Sequence, residues 1–150
     1  MLIPSRGTIR IIRASGRNEH GYQGGYCCVY PIKVNQQRQV VEEVFEFGRP
    51  FRFGLEAGSK PELLAVLAIA DNDTPIICNG FKDDEYIEMC MLAKKIGREI
   101  IPVVEKYTEL DLIIDYAARV GVRPSIGLRI KLASRGSGRW KSSGGYRSKF

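Results

Sequence analysis

Five polar residues stand at or just past the ends of short apolar runs: Lys33, Glu56, Asn79, Glu105 and Arg129. Lys33 carries the most distinctive chemistry. In VYPIKVNQQ it follows an apolar stretch, and desolvation there disfavours the charged form, leaving an amine able to form a Schiff base with a carbonyl. A surface lysine at a strand end is the competing reading. Glu56, in GLEAGS, can pair with a lysine or act as a general base; the plain alternative is a solvated strand-end carboxylate. Arg129 lies in the apolar run GLRI, where an unpaired charge is costly. It therefore calls for an anionic partner: a ligand, Glu56 or Glu105.

The elements that must position these residues follow from periodicity. CCVYP, FRFGLE, PIICN, IIPVV and SIGLRI are apolar runs rich in β-type residues, centred near Val29, Phe53, Ile77, Val103 and Gly127. Their interval of roughly 24–25 residues suits successive βα units. Continuous apolar character suits strands buried on both faces of a parallel sheet. Between them, Val40, Val41, Val44 and Phe45 recur at helical spacing, with Gly48 as a stop. Ser59 and Glu62 resemble a capping box, followed by the stripe Leu63, Leu64 and Leu67. Asp83, Asp84 and Glu85 favour a helix start, with Ile87, Cys90 and Met91 behind them and Gly97 at the end. Thr108 with Asp111 is expected to open a fourth helix, lined by Leu110, Ile113, Ile114 and Ala117 and closed by Gly121.

This pattern predicts an α/β fold, either an open doubly wound sheet or a (β/α)8 TIM-like barrel, and the regular spacing favours the barrel. The chain would supply about the first five βα units, with parallel strands. In both architectures ligands bind at the carboxyl ends of the strands, where the five polar residues lie. Beyond Ile130 the pattern gives way to a Gly/Ser-rich basic loop, residues 131–150. Its glycine pairs Gly136/Gly138 and Gly144/Gly145 match neither the P-loop nor the dinucleotide fingerprint.

Composition narrows the function classes. With 44% hydrophobic and 27% charged residues, the chain falls with soluble globular proteins. No apolar run approaches the ~20 residues of a membrane span, and the start lacks a secretory signal, so a cytoplasmic location is expected. Cys27, Cys28, Cys78 and Cys90 form no CxxC pair and read as free thiols of a reducing compartment, not as a zinc site. The net charge of +6 comes from the two ends, since residues 26–128 carry more acids than bases. A basic-tailed nucleic-acid module is a minor alternative resting on Arg135, Arg139 and Lys141; no recognition motif accompanies them, and no nucleic-acid or membrane partner is expected.

The stretch GYQGGYCCVYPIKVNQQRQVVEEVFEFGRPFRFGLEAGSKPELLAVLA, with CNGFKDDEYIEMC, VVEKYTELDLIIDYA, VRPSIGLRIKLAS and GSGRWKSSGGYRSKF, resembles the start of the catalytic barrel of biosynthetic arginine decarboxylases. These are pyridoxal-phosphate enzymes of the alanine-racemase-like fold. The likeness covers residues 21–150 as an incomplete cofactor-binding barrel domain and leaves residues 1–20 as an unmatched, irregular leader. It implies that Lys33, in YPIKVN, holds pyridoxal 5'-phosphate as a Schiff base. It also implies that Glu56 lies near that lysine and that Arg129 lies against the cofactor ring and its phenolic oxygen. The implied reaction converts L-arginine to agmatine and carbon dioxide in polyamine biosynthesis, with magnesium as a further cofactor and a homo-oligomeric assembly. The family's stacking histidine, phosphate cradle and pyridine-pairing acid belong to later strands, and His20 lies in the leader. The chain is therefore expected to be a truncated form, inactive on its own. The alternative within the same superfamily is a non-catalytic pyridoxal-phosphate-binding protein.

Overall fold

The computed structural model of the chain describes residues 27–130. Strand and helix alternate through β1 (Val29–Pro31), α1 (Arg38–Gly48), β2 (Gly54–Ala57), α2 (Lys60–Ile69), β3 (Ile76–Cys78), α3 (Asp84–Lys95), β4 (Ile100–Val104), α4 (Tyr107–Val120) and β5 (Gly127–Leu128). Single 3-10 turns, Ile32–Val34 and Arg49–Phe51, follow β1 and α1. The leader 1–20 and the loop 131–150 expected from sequence lie outside the described residues.

All four strand pairings are parallel, and the sheet order is β1-β2-β3-β4-β5. A doubly wound sheet reverses its order at a switch point. A strictly sequential order does not, and with right-handed crossovers it places every helix on one face. The fold is thus a partial (β/α)8 barrel, and the open-sheet alternative falls.

Register fixes which residues share a face. Pro31, Glu56, Ile77 and Ile101 align across β1 to β4, and Val103 aligns with Gly127. Because side chains alternate along a strand, these residues form the inner row, away from the helices. The opposite row, including Leu55, Ile76, Cys78 and Ile100, is buried against Leu63 and Val66 of α2, Tyr86, Ile87, Cys90 and Met91 of α3, and Ile113 and Ala117 of α4. Each such large apolar side chain contributes about 1.5–3 kcal/mol of transfer free energy. This layer supports the rim where the polar residues stand.

The helix starts explain themselves locally, with some departures from the sequence expectation. The Ser59 hydroxyl accepts from the Glu62 N–H at 3.4 Å, and the Glu62 carboxylate accepts from the Gly58 N–H at 2.7 Å. The reciprocal cap therefore reaches one residue further back than a standard box. Asp83 accepts from the Tyr86 N–H at 2.9 Å and opens α3. Helix α4 is not opened by Thr108 and Asp111. The Glu109 carboxylate does that work, accepting from the N–H groups of Glu105 (2.8 Å) and Lys106 (3.3 Å). Gly48 is not a left-handed stop either: its φ is −79°, and the left-handed residue is Arg52 at φ 56°. Glycine is required at 48 because a Cβ there would lie 2.5 Å from the Phe53 Cβ. Leu64 and Ile114, expected in the apolar stripes, are exposed, and Val66 is buried in α2. The chain therefore rotates α2 slightly from the face that its leucines suggest.

Candidate functional site

The site lies on the inner row at the carboxyl ends of the strands. Glu56 is the third residue of β2, and its register partners place it on the inner face, where it is only 4% exposed. Asn79 directly follows β3; its N–H extends the ladder by donating to the Ala57 carbonyl at 2.9 Å. Two residues on from Ile77, Asn79 shares the inner parity, and its side-chain amide donates to Glu56 Oε1 at 3.2 Å. Lys33, in the turn after β1, brings its Nζ to 3.9 Å from the same oxygen. Glu56 Oε2 is buried and accepts no hydrogen bond among the described residues.

Three strands away, the Arg129 N–H donates to the Val104 carbonyl at 3.1 Å, so the chain still pairs with β4 beyond the two residues of β5. Its guanidinium lies 3.4 Å from Glu105 Oε1. Of the two carboxylates that sequence left open for Arg129, Glu105 is the one it meets among the described residues. Both residues follow the inner parity, two positions past Val103 and Gly127. Lys33, Glu56 and Arg129 therefore belong to one rim, but only Lys33 and Glu56 meet directly. The expectation of a desolvated lysine is corrected: the Lys33 side chain is 53% exposed, because it leaves β1 on a 3-10 turn instead of extending the strand.

Two features of the rim escaped the sequence reading. The first is Lys82, whose side chain is fully buried. Its ammonium donates to the Gly80 carbonyl at 2.8 Å and to Glu109 Oε1 at 3.4 Å. Placed in FKDDE, it looks like one member of a solvated charge run; only its spacing after an apolar strand gives a hint. The second is Tyr86, whose buried hydroxyl donates to the Ala57 carbonyl at 2.8 Å. Burial, then the neighbouring thiols Cys78 and Cys90, push its phenol far above the ordinary range. The Cys90 thiol is likewise pushed up, first by its hydrogen bond with Cys78 and then by burial.

Backbone geometry locks this arrangement. Gly80 adopts φ +80°, and a Cβ on it would lie 2.1 Å from the Gly58 carbonyl oxygen. The loop after β3 thus presses against the loop after β2, two residues from Glu56. A cleft of about 600 Å³ opens beside it, lined by Lys60, Phe81, Lys82, Asp83, Lys106 and Glu109. It includes neither Lys33 nor Glu56, so this cleft lies at the helix starts and away from the lysine.

Residues 10–150 match the model of a family described as the pyridoxal-binding domain of pyridoxal-dependent decarboxylases. The chain belongs to this family. As a pyridoxal-binding domain, it is 60% identical over 133 residues to a biosynthetic arginine decarboxylase of Rhodopirellula baltica, covering 89% of this chain and 20% of that protein. A relative of the same description from Phocaeicola vulgatus is 58% identical, with 89% and 21% covered. The solved biosynthetic arginine decarboxylase SpeA of Campylobacter jejuni superposes with a TM-score of 0.69 at 39% identity, covering 81% of this chain and 20% of that one. The chain spans about a fifth of the length of these relatives. On the rim, Lys33 stands beside the buried carboxylate of Glu56. Among the described residues no group of three or more His, Cys, Asp or Glu could hold a metal ion. No helix among them is long and apolar enough to cross a membrane. The basic residues Arg135, Arg139 and Lys141 lie outside the described residues.

Proposed function

We propose that this chain supplies the lysine-bearing side of a pyridoxal-phosphate-dependent arginine decarboxylase site, with Lys33 as the cofactor-holding amine and Glu56 and Arg129 as cofactor-facing groups. The observation that carries it is the pairing of Lys33 Nζ with Glu56 Oε1 at 3.9 Å on the inner rim of a parallel barrel. Pyridoxal phosphate, when bound, supplies an electron sink for the carbon that loses its carboxylate. Everything else falls to the protein. Lys33 is exposed enough to be reached by an aldehyde and close enough to Glu56 to have its charge balanced. Glu56 keeps one buried oxygen without a donor among the described residues, which suits an acceptor that awaits a polar group from a ligand. Arg129, steadied by Glu105, presents a guanidinium on the same face for the cofactor's phenolic oxygen.

Arginine as substrate follows from the relatives' name, and its decarboxylation gives agmatine and carbon dioxide; a place in polyamine biosynthesis is part of the proposal. A homo-oligomeric, cytoplasmic enzyme is the setting that the likeness supports, and magnesium enters no step. The 150 residues alone are proposed not to decarboxylate arginine. The test adds pyridoxal phosphate, reduces with borohydride and maps the modified lysine by mass spectrometry. The adduct is expected on Lys33 and is lost in Lys33→Ala. Equal labelling of Lys94, Lys95 and Lys106 would refute the assignment. Release of carbon dioxide from arginine by this chain would overturn the division of labour.

A further inference from the structure

The rim carries two polar clusters, Lys33–Glu56–Asn79 on β1 to β3 and Glu105–Arg129 on β4 and β5, and between them lies an ion pair that neither cluster uses. Lys82 is 3% exposed and Glu109 7%. Burying two charges is expensive, and replacing such a pair with apolar residues is often neutral or stabilising. The reason for this pair is better sought in what it holds in place. Every hydrogen bond the structure gives it leads to a loop bearing a site residue. The Lys82 ammonium binds the carbonyl of Gly80, the residue after Asn79. The other oxygen of Glu109 binds the N–H of Glu105, the partner of Arg129.

We infer that Lys82 and Glu109 are a positioning pair, which fixes the Asn79–Glu56–Lys33 cluster and the Glu105–Arg129 pair at one separation across the mouth of the barrel. The inference rests on the reading of those residues as cofactor-facing. Glu109 is bifunctional: one oxygen closes the ion pair while the other caps α4, so the β4–α4 loop cannot shift without disturbing the β3–α3 loop. Gly80 adds stiffness, because its contact with the Gly58 carbonyl stops the β3–α3 loop from yielding toward β2. A displacement of one loop is therefore transmitted to the other through two buried side chains held at both ends by polar contacts. Both residues act through backbone groups of the two loops.

The test follows the side-chain amide of Asn79 and the Nε–H of Arg129 by NMR in the 15N-labelled chain, without cofactor. Lys82→Met and Glu109→Gln are each expected to shift both signals. Ile113→Val, a buried change one turn along α4, is expected to shift neither, and Lys82→Arg is expected to restore most of the original positions. A Lys82→Met variant that moves the Asn79 signal and leaves Arg129 in place overturns the inference, as does the reverse pattern in Glu109→Gln. If Lys82→Met does not fold, Glu109→Gln decides, because glutamine keeps a carbonyl oxygen for the α4 cap. As a second readout, the pyridoxal phosphate concentration for half-maximal trapping on Lys33 should rise about tenfold in either variant and no further in the double variant. Additive losses would reduce the pair to two independent contacts. Absence of any adduct in the parent chain would sink the cofactor reading and leave the NMR result to judge the pair.

Discussion

Three glycines hold positive φ in the described chain: Gly80 at 80°, Gly97 at 92° and Gly121 at 75°. They allow the contact between the β2 and β3 loops to be weighed against an internal standard. An alanine at any of them incurs the left-handed cost, about 1–2 kcal/mol. Around Gly97 and Gly121 a Cβ would meet nothing within 4 Å, so that is the whole expected effect. At Gly80 the Cβ would stand 2.1 Å from the Gly58 carbonyl oxygen, well inside the ~3.3–3.6 Å of even a favourable carbon–oxygen contact. The obstacle is backbone, which cannot rotate away. One loop must retreat by roughly 1 Å, and overpacking of this kind costs about 1–3 kcal/mol more. Gly80→Ala should therefore lose about 2–5 kcal/mol in total. Urea unfolding followed by circular dichroism is the assay; at about 1–3 kcal/mol per M, the excess over Gly97→Ala is a midpoint difference on the order of 1 M. The same retreat would stretch the Asn79–Glu56 hydrogen bond, already 3.2 Å, past useful length, so trapping of pyridoxal phosphate on Lys33 should fall in Gly80→Ala alone. If Gly80→Ala unfolds within about 0.5 kcal/mol of Gly97→Ala, the loops are not in firm contact and the reasoning fails.

Two further outcomes follow from the same geometry. Tyr86→Phe removes the hydroxyl bond to the Ala57 carbonyl, but that oxygen keeps the Asn79 N–H at 2.9 Å. The loss should be about 1 kcal/mol by chemical denaturation, the worth of one ordinary hydrogen bond; a loss above about 3 kcal/mol would mean that the carbonyl had been left unsatisfied. The Asp83 carboxyl is held below its usual range, first by the Lys60 ammonium and then by the Tyr86 N–H, while Lys60 is held above its own range by Asp83 and then Glu85. The carboxyl's contribution to stability is present above its unfolded value and is lost as pH falls through the folded one; the ammonium's is complete below its unfolded value and is lost as pH rises through the folded one. Asp83→Asn, which can still cap α3, should flatten both limbs of a plot of melting temperature against pH, and an unaltered acid limb would refute the pairing.

The alternation of strands and helices was legible because each strand is a dense apolar run and each helix start carries its own polar signal. Ser59 and Asp83 announce α2 and α3 within three residues of sequence. The cap of α4 was not legible: Thr108 and Asp111 look like cap residues, but the third residue of the helix, Glu109, reaches back instead. Glu109 stands at the capping-box position of this helix, but the residue at its N-cap is Lys106 and not Ser or Thr, so the sequence signature is incomplete; its other oxygen meets Lys82, 27 residues earlier. Gly48 misled for a related reason. Its glycine is demanded by the approach of Phe53 and not by its own backbone angle, and close approach leaves no trace in a local pattern.

Strand parity accounts for which site residues sequence could find. Lys33, Glu56, Asn79, Glu105 and Arg129 could be proposed together because each follows an apolar run, and ends of parallel strands point one way. Their pairing could not, since it depends on register between strands, and a slip of one residue would turn Glu56 into the helix layer. In the observed register Glu56 is the only charged member of the row Pro31–Glu56–Ile77–Ile101. A carboxylate buried there with one oxygen lacking a donor among the described residues works against stability, while the helix-facing row meets every expectation for a core. Local rules are broken where chemistry is needed and kept where packing is needed. The same contrast singles out Lys82: a fully buried ammonium in a chain with ample apolar residues is a cost that stability alone does not repay.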